Sequence, residues 1–531
     1  FDARRGEYGV IGAGSVLKSN RIIKDARIGE CAYIKGSNKL KNITINSCDL
    51  ERTQIGEGVE LVNGIVGYGC RVFYGCKAVR FVMGTNSALK YGARLIHSVL
   101  GDNSTVSCCE MLNNLVFPAH EQHHNTSFLI ASVIKGQSNM AAGATVGSNH
   151  NSRANDGEIE AGRGFWPGLS TSVKHSSRFA SYCLLSKGDY RYELDIPFPF
   201  ALVSDNESAD RLEVMPAYWW MYNMYALLRN EAKFVVRDKR HHRDQNIEMS
   251  PFAPDTAEEI FISLDLLELA VGRAWLRAKP EAGTILHPGR AGHEKSGVDE
   301  DVRARGRELL LGPKEAVDGL AVTCEGLENS RRPVVIQKPR RAYKAYRHLL
   351  RWYAMRVLID YFAKRPDATF VEAADVLNGL RVTGWDNLGG QLIPDGKVES
   401  LVADIRSGTV NSWNEVHAEY ARLWSEYPLD KAQHAWATLC RLLDTAELTA
   451  SVFAREVSRF VETTRFIEEQ VYLTRQKDYA NRFRLATFRG MEEMHAVLGV
   501  PETNSFVRQT RSDMERWRAR ADALLGRLTA D

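Results

Sequence analysis

Six short motifs, each an apolar residue followed by glycine, recur through the first hundred residues: Ile11-Gly12, Ile28-Gly29, Ile55-Gly56, Val66-Gly67, Met83-Gly84 and Leu100-Gly101. Val66, Met83 and Leu100 are spaced 17 residues apart, and Ile134 follows Leu100 at twice 17. Three short strands and three tight turns add up to about one such period, each turn needing Gly or Asn where the backbone visits positive φ. One coil of this kind cannot bury its inner face alone, so stacked coils must supply the core. Unrelated glycine turns in an ordinary β domain would not hold one spacing so often. The longer step from Ile28 to Ile55 predicts a loop or irregular coil around Asn38 to Glu51.

The period also shows in sixes. Ile134, Met140 and Val146 each open a six whose fifth place holds Ser138, Ala144 or His150. This resembles the hexapeptide repeat of the left-handed parallel β-helix proteins, in which the first residue points inward and the fifth place admits small groups. The repeats together with Gln122-His123-His124-Asn125, the run from Gly147 to Asn151, Asp195-Ile196-Pro197-Phe198 and Arg237-Asp238-Lys239-Arg240 resemble an uncharacterised bacterial family that places a hexapeptide β-helix before a helical C-terminal region. The resemblance is clearest over roughly residues 1 to 250. It implies membership of the trimeric hexapeptide superfamily, whose enzymes mostly transfer acetyl or longer acyl groups from a thioester carrier, at sites between subunits and commonly with a histidine base. Acyl-coenzyme A is then the candidate donor, and a sugar, nucleotide sugar or other polar metabolite the acceptor. A Gly-rich nucleotidyltransferase loop is missing. So is the Asn-His-Pro signature of one acetyltransferase branch, because His150 is followed by Asn151.

The expected fold class is α+β multidomain, a left-handed parallel β-helix followed by an α-helical domain. The β-helix with its end-capping extension takes residues 1–210, the repeat itself running from 11 to about 180. A first helical segment packing on the solenoid takes 211–278, a long connection rich in Gly, Pro and charge takes 279–339, and a helical bundle takes 340–531. Tyr346, Leu349, Leu350, Tyr353, Val357 and Leu358 follow helical spacing and form one apolar stripe, as do Phe453, Val457, Phe460 and Val461. From Leu429 to Arg489 there is neither Gly nor Pro, which favours long helices, with Gly490 as a stop.

At 531 residues the chain is too long for one core, and 44% hydrophobic and 25% charged residues with net charge +3 imply no acidic or basic partner. Nine scattered cysteines without C-x-x-C pairs fit a reducing cytoplasm. No apolar run is long enough to span a bilayer, and Phe1-Asp2-Ala3-Arg4-Arg5 lacks a signal-peptide core. The missing initial methionine points to an upstream segment.

His150 is the candidate general base, an imidazole able to take the proton of an acceptor hydroxyl or amine. Asn149, Asn151 and Arg153 would orient the acceptor. The competing reading is a histidine hydrogen-bonded at a coil corner. Counting back 17 from Ile134 puts Phe117 at the head of a six and His123 at the head of the next, so His123, His124 and Asn125 would meet His150 across a subunit boundary as further substrate-binding groups. That arrangement resembles the zinc-holding histidines of the γ-class carbonic anhydrases, although their accompanying Arg and Asp-Gln pattern is not evident, and no metal ligand is assigned. Arg237, Lys239 and Arg240 are the candidate phosphate-binding residues. The basic run from Arg340 to Arg347 reads instead as a solvated helix face. A nucleic-acid partner is not expected, because the aromatics go into helix packing. Three readings follow: a trimeric acyltransferase, a non-catalytic trimeric binding or assembly protein, and a zinc-dependent hydratase or hydrolase.

Overall fold

The computed structural model describes residues 9–147, 157–279 and 295–528. The described residues up to about 200 form a parallel β-solenoid. Eleven strands succeed one another along one sheet path, and eight more line a second face. Five of the six glycine-led motifs mark a ladder that climbs the whole solenoid, pairing Ile11, Ile28, Ile45, Val66, Met83, Leu100, Val116, Ile134, Ala161, Phe179 and Ile196 each with the next, whereas Ile55 lies on the second face between Ile34 and Val72. From Ile28 upward every one of these side chains is buried, which is how a coil without a core of its own acquires one from its neighbours.

Left-handed backbone recurs in three columns, one per corner. One contains Cys31, Asn86, Asn103 and Gln137, a second Gly36, Gly58, Gly75 and Gly92, and the third Asn42, Asn63, Arg80, His97, Asn113 and Ala131. Asn tolerates this region because its short polar side chain can bond locally. The extra residues of the long coil fall after Lys39–Ile45, since Ile45 still pairs in register with Val66; they form a loop at 46–53.

Counting by 17 fails at Val116, which pairs with Leu100 at a step of 16 and with Ile134 at a step of 18. The six therefore opens on Val116 and not on Phe117, and the next on Gln122, which pairs with Met140. His120, not His123, takes the small fifth place of that coil. Its ring is fully buried, with Nδ1 at 2.8 Å from the Ser138 hydroxyl and Nε2 at 3.1 Å from the Gln122 side-chain oxygen. Burial pushes its pKa down to about 4. His120→Ala is expected to cost about 1–3 kcal/mol, because Ser138 and Gln122 lose partners inside the coil. Exposed His124→Ala should stay within about 0.5 kcal/mol of the parent. Urea midpoints of the two variants compare them directly, and equal midpoints would remove the structural role given to His120.

The solenoid ends in a sheet whose order runs Trp166–Pro167, Leu184–Leu185, Leu202–Asn206, Arg211–Met215 and Val334–Ile336. The last strand comes from the stretch read as a connection, which also carries the helix Lys295–Leu311. That helix lies close on Pro254–Ala278: a Cβ on Gly306 would sit 1.8 Å from the Glu268 carbonyl oxygen, and one on Gly272 2.1 Å from that of Val302. In the helix Pro339–Ala363, Tyr346, Leu349, Leu350, Tyr353 and Leu358 are core residues. The glycine-free stretch holds the end of Trp413–Leu443, which accommodates Pro428, then Ala450–Ala480 and the short helix Arg482–Leu485, so the long helix stops at Ala480 and not at Gly490. Among the described residues no helix is long and apolar enough to cross a membrane.

Candidate functional site

Between the helices Met224–Arg237 and Pro254–Ala278 the chain runs without regular structure through residues 238–250 and lies along one corner of the solenoid as a strap. Arg240 fixes it. Its guanidinium donates to Asp102 at 2.8 Å, to both oxygens of Asp238 at 2.8 and 3.0 Å, and to the Gln245 carbonyl at 2.6 Å. Further along, Gln137 donates to the Glu248 carbonyl at 2.8 Å. Burial works against the Glu248 carboxylate, yet Lys431 and Arg163 hold its pKa below the ordinary value.

Of the three candidate phosphate ligands, Arg240 is the one buried and engaged elsewhere. Arg240 is buried with its donors committed to carboxylates and carbonyls, so its charge is spent on docking the strap. Arg237 pairs with Glu121, which also takes Lys233 at 2.9 Å; Lys239 is exposed. His123 is half-buried, and burial lowers its pKa; His124 and Asn125 are exposed. The two imidazoles are 6.4 Å apart edge to face. His150, Asn149, Asn151 and Arg153 lie outside the described residues.

A cleft of about 410 Å³ lies where the solenoid meets the helical region, walled by its last coils, by Pro254–Ala278 and by the hairpin Trp385–Leu388 with Gln391–Pro394. The helix starts at Pro254, whose missing N–H costs nothing there. Asp255, Glu258 and Glu259 follow at spacings of three and four, which sets all three carboxylates on one face. Each has a different partner. Asp255 is gripped by the Arg163 fork at 2.7 Å through both oxygens. Glu258 accepts from Arg381 at 2.9 Å and from His434 Nε2 at 2.9 Å, while His434 Nδ1 lies 2.8 Å from the Tyr353 hydroxyl. Burial, against the pull of Glu258, lowers the His434 pKa.

Among the described residues Glu259 forms no ion pair. The Ser181 N–H reaches its two oxygens at 3.1 and 3.0 Å and the Ser181 hydroxyl donates at 3.1 Å. Burial and then the neighbouring Asp255 charge push its pKa from 4.5 to about 8. A carboxyl that changes charge near neutral pH in a cleft is fitted to general acid–base work. The rim carries two ion pairs, Lys135 with Glu160 at 2.8 Å and Arg178 with Asp195 at 2.7 Å. Trp385 stands at the wall as a flat apolar surface. Of these only Asp195 was singled out in the sequence, as part of a family motif and without a site role; the signal available was the Pro254 start with carboxylates three and four apart.

Two more features bear on function. On the outward face Ile65, Val82, Val99 and Leu115 form a paired ladder, 37% to 41% exposed. The column continues through Val133 to Glu160, Arg178 and Asp195, so the ladder leads into the rim of the cleft. Separately, Cys48, Glu51 and His242 bring one potential ligand atom each to within 4.8 Å of one another.

The fold and cleft define a class: a parallel β-solenoid strapped and capped by a helical region, with an acid-rich cleft at the junction. The chain belongs to the family described as Domain of unknown function (DUF4954), which matches residues 1–269. A second such description, Domain of unknown function (DUF6819), matches residues 374–528 of the helical region. A relative from Treponema pallidum (strain Nichols), described as an uncharacterized protein, is 50% identical over 513 residues, which is 96% of this chain and 68% of that relative.

Proposed function

We propose that the protein is a group-transfer enzyme of the trimeric hexapeptide kind, moving an acyl group from a coenzyme A-type thioester to a hydroxyl or amine of a sugar, nucleotide sugar or other polar metabolite held in the junction cleft. The observation that carries the reading is Glu259, a cleft carboxyl that forms no ion pair among the described residues, with its pKa raised to about 8 beside the Ser181 hydroxyl. In its ionised form it takes the acceptor proton as the acceptor oxygen or nitrogen attacks the thioester carbonyl. The new C–O or C–N bond forms, the C–S bond breaks and the thiolate leaves to be protonated. Trp385 offers a stacking wall for a sugar ring, and the carboxylates and rim pairs offer partners for its hydroxyls. The test is a thermal-shift screen with coenzyme A, acyl-coenzyme A and nucleotide sugars, followed by an assay for released thiol. Turnover lost in Glu259→Gln supports the cleft; turnover kept there but lost in His150→Ala moves the base to the His150 segment.

The ladder of Ile65, Val82, Val99 and Leu115 favours a trimer, and with it the second reading, an assembly or binding protein without catalysis. Four stacked apolar rungs on one face suit a copy of the same chain about a threefold axis. Because the column runs on to Glu160 and Arg178, a neighbour docked there would border the cleft. Sedimentation should report a trimer or a multiple of it, and Val82→Lys with Val99→Glu should give monomers of unchanged helicity. A monomeric parent at micromolar concentration would rule out the interface.

A further inference from the structure

We propose that Cys48, Glu51 and His242 form a zinc site that fastens the strap to the solenoid. The loop at 46–53 is a coil insertion that meets the strap, and it is ordered from within: the Cys48 N–H donates to the Glu51 carbonyl at 3.3 Å, and Thr53 donates to the Asn46 carbonyl at 2.7 Å. That turn sets the thiol and the carboxylate, three residues apart, toward the strap. His242 arrives from 191 residues later. Its own N–H donates to the Glu51 carboxylate at 3.0 Å, its Nδ1 contacts the same carboxylate, and its ring stacks on Tyr68 at 3.9 Å between centroids and 8° between planes. The imidazole is therefore held in place before any ion enters.

One atom from each of the three side chains lies within 4.8 Å of the others, with Glu51 only 5% exposed. Thiolate sulfur, imidazole nitrogen and carboxylate oxygen suit Zn²⁺, and three protein ligands leave a fourth tetrahedral position for water. The two backbone N–H groups on Glu51, from His241 and His242, leave its oxygens with lone pairs to spare. On binding, Cys48 gives up its thiol proton to solvent, and the proton shared between His242 Nδ1 and Glu51 is displaced, leaving a neutral imidazole protonated on Nε2 with Nδ1 facing the metal. The ion would then tie residues 48 and 51 to residue 242, a cross-link independent of the cleft and of any transfer reaction.

The test uses the full chain, stripped of metal with a chelator and titrated with zinc or cobalt alone. Expected are about one zinc per chain, a higher melting temperature with zinc, slower tryptic cutting at the exposed strap residues Lys239 and Arg243, and a thiolate-to-cobalt charge-transfer band. Cys48→Ser should abolish the band and weaken zinc binding by about 100-fold or more, and His242→Gln should weaken it comparably. Cys108→Ser, half-buried elsewhere on the solenoid, should leave both unchanged. Substoichiometric zinc with no change in melting temperature, or a cobalt band that survives Cys48→Ser, overturns the site.

Discussion

Replacing Arg163 by alanine is expected to lower stability by about 3–5 kcal/mol, the range for breaking a buried ion pair by removing one partner. Arg163 comes from the solenoid, is 2% exposed and has its guanidinium engaged on every side. Nε and one terminal nitrogen hold Asp255; the other donates to the Ser250 carbonyl at 2.8 Å and to Gln137 at 3.2 Å. Alanine would leave the Asp255 carboxylate near the bottom of a cleft without its counter-charge and the Ser250 carbonyl without a donor. Because Arg163 touches solenoid, strap and helix together, the loss should appear as loosening of the helical region before the coils open. Urea titration read by tryptophan fluorescence, alongside limited proteolysis, measures both. The double change Arg163→Met with Asp255→Leu should cost clearly less than the two single costs added, since no orphaned charge remains. A midpoint for Arg163→Ala within about 0.5 kcal/mol of the parent would show that the junction is held by packing alone.

Glu259→Gln is expected to reduce turnover by about 100-fold or more, the contribution of a positioned general base. The amide keeps the shape and still accepts from Ser181, so the fold should persist. The pH dependence separates this from a packing effect. With its folded pKa raised from 4.5 to about 8, Glu259 contributes stability that is fully present below 4.5 and is lost as the pH rises to 8, where the folded state must carry a poorly solvated charge. Between pH 5 and 9 the parent should therefore lose roughly 2–4 kcal/mol relative to the glutamine variant, which has no such proton to give up. Activity should move the opposite way, rising toward pH 8 as the carboxylate form grows. Parallel stability curves for parent and variant, or a rate flat across that interval, would remove Glu259 from the role of base.

Periodicity made the solenoid legible. A column of Ile, Val, Met and Leu at one spacing has few other ways to be buried, and the shift to helical spacing after Met215 was as plain. The same arithmetic went astray at Val116, because coils tolerate steps of 18 as well as 17, and that one-residue slip hid His120 in the interior and promoted His123. Arg240 misled for another reason. A run of basic residues carries no mark of the carboxylates it will meet, and Asp102 lies 138 positions away. The cleft was illegible on the same ground, since Ser181, Glu259 and Trp385 come from a coil, a helix and a hairpin that no local pattern connects.

The strap also sets an order of events. Most solenoid pairings join residues about 16 to 21 apart, as from Arg94 to Glu110 or Lys39 to Glu60, and a longer step such as Ile134 to Ala161 spans 27, so the coils can grow rung by rung as the chain lengthens. The strap closes loops of 138 residues at Arg240 and 190 at His241, and cannot do so until the whole solenoid has been made. Until then Glu51 and Asp102 stand along an open corner without their partners. A ribosome-bound solenoid would thus be a recognisable nascent state with an unsealed acidic seam, and its exposure to proteases should end when the strap is laid down.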